Sequence, residues 1–335
     1  MVTIDVHAHY TQAPPELFEF RGLQLTSLNK PSRRALRIPD SKIALSLEGN
    51  LAQMTERGID YVAFSPRASG MGHDIGGPEI SLYWTQVSND LIGRAAALFP
   101  DALLPVCQLP QAPGVPPEHW LEELYRCVET MGFVGCIINP DISGGLEPFT
   151  PSLSSEWWDP LWQAMVELDV PGMVHASSTR NPAFHVNGSH YIAQHYAATI
   201  ELCASDVFAR FPTLKLIMPH GGGGVPFQLN RHRALHQIEG LPRFDDAVHN
   251  LYFDTAVYDP ASLELLIRNI GPDRIVFASE MFGTADTVDE TRGRKFDDIL
   301  PDIHGFDWLD ADALQKVLGG NAMKLFSRAR FAAGS

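Results

Sequence analysis

The sequence predicts a closed (β/α)8 barrel. Three observations carry that reading: short apolar runs recur eight times along 335 residues, stretches with helical spacing alternate with them, and ligand-type polar residues stand where several runs end. Strands alternating with amphipathic helices imply right-handed βαβ units and a parallel sheet, and eight such units is the count that closes a barrel. The open doubly wound alternative lacks a Gly-x-Gly-x-x-Gly after an early strand.

The first run is Met1 to Tyr10, ending in His7-Ala8-His9. In an extended strand the side-chain period is two, so both imidazoles point to one side and can chelate a single ion. Residues 11–42 are polar, contain prolines and show no clear period, whereas 47–57 has helical spacing and stops at Gly58. The stretch of about 11–47 is therefore an excursion over the barrel mouth, within one domain spanning 1–335. Further strand-like runs lie at 59–65, 103–108, 133–139, 170–175, 214–220, 250–255 and 274–279. Helical candidates lie at 81–99, 119–131, 158–168, 191–211, 225–238, 261–270 and 310–327.

Net charge is −15 without a basic run, which argues against nucleic acid or an anionic membrane surface as partner. No apolar run approaches the length of a membrane span. The chain opens directly on strand-like sequence without the segments of a secretory leader, so cytoplasm is the expected location. Cys107, Cys127, Cys136 and Cys203 form no Cys-x-x-Cys pair and suit reduced core thiols, so any metal is held by nitrogen and oxygen.

In such a barrel the reacting groups sit at the C-terminal ends of the strands. There the sequence places His7 and His9 (strand one), His175 (five), His220 (six), Asp254 (seven) and Ser279-Glu280 (eight). His7, His9, His175 and Glu280 are the expected ligands of one ion at the mouth.

The pattern Asp5-x-His7-x-His9, Val174-His175, Pro219-His220 followed by glycines, and an acidic residue after strand eight resembles the amidohydrolase superfamily, in the group that contains non-oxidative decarboxylases. Two departures narrow it. Glu280 stands where aspartate is usual, and the strand-four end is near Asn139 rather than the lysine of binuclear members. Ser279-Glu280-Met281, with Phe64-Ser65-Pro66-Arg67-Ala68-Ser69 after strand two, resembles the 4-oxalomesaconate hydratases of bacterial aromatic-acid degradation. That resemblance implies one zinc ion (Zn2+, with Mn2+ as the alternative), addition of water to a C=C bond conjugated to a ketone, and a tricarboxylate substrate from protocatechuate or gallate breakdown. It also implies a homo-oligomer.

Such chemistry needs a base, a proton donor and cations for the carboxylates. Glu280 is the expected ligand and general base. His220, before Gly221 to Gly224, orients the water or donates a proton, and Tyr191 is a second acid. Arg67 and Arg231, then Arg180, are expected to clamp carboxylates, with Asn139 also facing substrate. His73, His185, His190 and His195 are rim residues without an assigned role. Competing functions are a metal-dependent decarboxylase of an aromatic or muconate-type acid, a mononuclear lactone or amide hydrolase, and a non-catalytic metal-binding protein.

Overall fold

The computed structural model describes residues 1–331 apart from Arg34, Phe184, His185 and Thr284. Eight parallel strands follow one another around the sheet in chain order: β1 (Ile4–His9), β2 (Tyr61–Ser65), β3 (Leu103–Gln108), β4 (Gly135–Ile138), β5 (Gly172–Val174), β6 (Leu216–Met218), β7 (Tyr252–Asp254) and β8 (Ile275–Val276). The ring closes where Val6 N donates to Phe277 O at 3.0 Å. The strands are almost wholly buried, as expected when helices cover the outside and side chains fill the inside.

Alternate residues supply two cores. Ile4, Val6, Tyr61, Ala63, Leu104, Val106, Ile137, Met173, Ile217 and Val276 fill the barrel, whereas Val62, Phe64, Cys107, Ile138 and Phe253 pack outward against the helices. On β1 the alternation breaks. Asp5 pairs with Val62 and Ala8 with Phe64, so β1 advances three residues while β2 advances two. The extra residue is a β-bulge, which reverses the inward parity. Continued alternation from Ile4 and Val6 would turn Ala8 inward; with the bulge Ala8 joins the outer core and His7 and His9 face the lumen.

Within residues 11–47, Pro15–Thr26 is a helix begun by proline at its first position, and the helix with spacing over 47–57 is Asp40–Arg57, starting seven residues before 47 and ending at Gly58 with φ 71°. Arg21 anchors the first helix by donating to Met71 O at 2.7 Å and lying 5.0 Å from the Trp84 ring. The expected helix 191–211 is two helices, Ser189–Cys203 and Val207–Arg210, and a short antiparallel hairpin (Val288–Asp289 with Arg294–Lys295) follows β8. Outside β3 to β5, Trp120, Trp158 and Trp162 are fully buried with ring centroids 5.6 and 5.7 Å apart. Among the described residues no helix is long and apolar enough to cross a membrane.

Candidate metal centre and active site

Ligand atoms of His7, His175, His220 and Glu280 all lie within 4.8 Å of one another, and all four residues are buried. His9 adjoins them, with its Nε2 3.2 Å from His7 Nε2 and its ring 5.1 Å from that of His175. The five groups come from β1 and from the ends of β5, β6 and β8.

Hydrogen bonds at the far side of each ring set the tautomers. His7 Nδ1 faces Asp254 Oδ2 at 2.8 Å, His175 Nδ1 faces Ala176 O at 2.7 Å, and His220 Nδ1 faces Ala256 O at 3.0 Å. Each of these oxygens only accepts, so each Nδ1 carries the proton and each Nε2 presents a lone pair. His9 Nδ1 meets Ser65 Oγ at 2.9 Å, and that hydroxyl donates onward to the carbonyl of Ala8 or Pro66, which gives His9 the same tautomer. His7 Nε2 and His9 Nε2 thus stand 3.2 Å apart, and the buried His175 Nε2 has no hydrogen-bond partner. Nitrogen atoms held at tetrahedral zinc distances lie about 3.3 Å apart. The donor set fits one cation.

Electrostatics distinguish His7 from the other rings. Burial, reinforced by neighbouring histidines, pushes His9, His175 and His195 well below the ordinary imidazole range, so they stay neutral. For His7 burial opposes the charged form, but the Asp254 bond and charge outweigh it and lift the ring above its usual value. Asp254 is itself fixed, its Oδ1 accepting from Ala256 N at 3.1 Å and Gly221 N at 3.3 Å. Asp254→Asn should thus weaken metal affinity by about 10–100-fold, measured by chelator competition, because the ring loses its anionic anchor. Asp5 performs a related task across the barrel seam, accepting from His7 N at 3.0 Å and Ser279 N at 3.2 Å. Burial raises its carboxyl to about 6 despite those bonds.

Above the cluster opens a cavity of about 650 Å3. Its lining combines the polar Arg67, Ser69 and Tyr191 with the apolar Ile192, Phe227, Val257 and Phe282. Arg67 Nε donates to Ser69 Oγ at 2.8 Å, and Ser69 also bonds the Tyr191 phenol, which burial raises above its usual range. Gly223, at φ 65°, lets the glycine run press against the helix Ser189–Cys203: a Cβ there would sit 2.6 Å from Ile192 O.

The remaining expected residues lie elsewhere. Arg180 is exposed and bridges to Asp74, tying the loops after β5 and β2 together. Arg231 is exposed on the helix Leu229–Glu239 and does not line the cavity. Asn139 is buried, with its carboxamide spent on backbone: Oδ1 accepts from Ser177 N at 3.2 Å and Nδ2 donates to Asp141 O at 3.0 Å. His195 stands behind the cluster, accepting from Ala176 N at 3.0 Å, with its ring 5.0 Å from His175. His73 and His190 are buried away from the cavity wall, and His185 lies outside the described residues. Sequence reasoning missed Tyr258, which lines the cavity and donates to Glu280 Oε2. Its signal was its place, four residues past the end of β7, where barrel loops supply site groups.

The amidohydrolase family model matches residues 4–328. This chain belongs to the amidohydrolase family. Its curated relatives include the 2-keto-4-carboxy-3-hexenedioate hydratase of Sphingobium sp. strain NBRC 103272 / SYK-6, 39% identical over 98% of this amidohydrolase and 97% of the relative. The gamma-resorcylate decarboxylase of Polaromonas sp. strain JS666 is 27% identical, with 88% of each chain covered. Among solved structures, the 4-oxalomesaconate hydratase of Rhodopseudomonas palustris superposes on this amidohydrolase with a TM-score of 0.89 at 37% identity, covering 98% of this chain and 96% of the other. A 2,6-dihydroxybenzoate decarboxylase from Rhizobium shares the fold at 22% identity, with a TM-score of 0.73 and coverage of 98% and 99%.

Proposed function

We propose that this amidohydrolase is a zinc-dependent hydratase that adds water to the C=C bond of 4-oxalomesaconate or a close tricarboxylate enone in protocatechuate or gallate breakdown. That it is an enzyme of the hydro-lyase class rests on whole-length identity to a named hydratase and on the matching structure. The observation carrying the metal-dependent reading is the convergence of imidazole lone pairs beside Glu280 at the cavity floor.

His7, His9, His175 and Glu280 would hold the ion. When bound, zinc supplies Lewis-acid polarisation of oxygen at the reacting centre. Glu280 takes the proton of the attacking water, whose oxygen bonds to the β-carbon of the enone. His220, its Nδ1 fixed on Ala256 O, turns Nε2 into the cavity and orients the water. Tyr191, on the cavity lining, delivers a proton to the α-carbon. Arg67 meets a substrate carboxylate; the bound cation and Arg67 together answer most of a tricarboxylate's charge. Arg231 and Arg180 stand too far out on the surface for direct capture, and Asn139 holds the loop beneath the wall.

The second reading, decarboxylation, is favoured by the 27% identity to gamma-resorcylate decarboxylase. Purified enzyme incubated with 4-oxalomesaconate separates the two. Loss of enone absorbance without carbon dioxide release is the expected result, and release of carbon dioxide would overturn hydration.

A further inference from the structure

Glu280 is the residue on which the proposed reaction turns, and a carboxylate is useful as a base only when one oxygen is aimed at the water. Rotation about Cγ–Cδ exchanges its two oxygens unless something holds one of them. The Tyr258 hydroxyl donates to Oε2. His220 Nδ1 stands 4.0 Å from the same oxygen but spends its proton on Ala256 O at 3.0 Å, so it does not compete.

The backbone shows that this pairing is built rather than incidental. Tyr258 has φ 60° and Glu280 φ 53°, both left-handed, at the turns that leave β7 and β8. For residues other than glycine such conformations are strained and persist where the surroundings enforce them. Both side chains line the same cavity. A bond from Tyr258 to Oε2 thus fixes the carboxylate where it meets the imidazole group.

We infer that Tyr258 is a positioning residue for the reaction, its hydroxyl holding the Glu280 carboxylate in one orientation at the cavity floor; this rests on the role of Glu280 proposed above. Tyr258 acts through Glu280 and touches no reacting atom, so its removal should alter kcat and metal affinity rather than substrate binding.

The test is Tyr258→Phe, which deletes one hydroxyl and keeps the ring, compared with Glu280→Gln and the double variant. Expected is a fall in kcat of about 10–100-fold with KM within about twofold, an unchanged thermal midpoint, and weaker zinc binding in chelator competition without substrate. A fall in either kcat or zinc affinity that shrinks in the Glu280→Gln background supports the inference. It is overturned if neither changes, if the loss lies in KM alone, or if the loss is as large in the Glu280→Gln background. Should the parent enzyme fail to hydrate any enone, the proposed function fails, while the zinc-affinity arm of the cycle still decides the Tyr258–Glu280 coupling.

Discussion

Glu280→Gln will lower kcat by about two to four orders of magnitude, the range that a positioned general base contributes. The amide is isosteric, so the fold is kept, but with a single oxygen it cannot serve both Tyr258 and the cation as the two carboxylate oxygens can. It also loses affinity for a proton. Steady-state rates at saturating 4-oxalomesaconate, read by enone absorbance, give the effect; circular dichroism checks that the fold is retained. Turnover within about fivefold of the parent would remove Glu280 from the reaction.

Stripping the metal will abolish activity and lower the melting temperature, and adding zinc back will restore both. Without a cation the buried His175 Nε2 is left as an acceptor with no hydrogen-bond partner. Such a group costs about 1–3 kcal/mol. A cation that binds only the folded chain stabilises it by about 2.7 kcal/mol at a hundred times its dissociation constant. Calorimetry of stripped and zinc-reconstituted protein measures the shift. Full activity after exhaustive chelation, with metal content verified as zero, would defeat every zinc-based mechanism.

The barrel was legible because its strands are buried on both faces and read as continuous apolar runs; all eight fall inside the expected segments. The convergence of His7, His175, His220 and Glu280 was legible because polar groups closing such runs have few structural uses. What turned His7 and His9 toward the lumen was not legible. A period of two places them together but leaves inside or outside open, and the choice is made by a bulge between Asp5 and Ala8 that has no local sequence mark. Arg231 shows the opposite limit: helical spacing set it two turns past the glycine run, yet the three-ten turn Val225–Phe227 and the kink at Gln228 carry its helix away from the mouth. Tyr258 escaped because an aromatic four residues past a strand resembles ordinary packing, and its left-handed backbone is invisible in residue order.

The seam between β8 and β1 has a consequence for biosynthesis. Ser279 and Asp5, which bond across it, are 274 residues apart in the chain. During translation His7 and His9 leave the ribosome long before Glu280, which the fold brings beside them. Until β8 docks, the nascent chain lacks the complete set proposed above. A cation held by that set would be captured tightly only then, so its loading would report that the ring has closed.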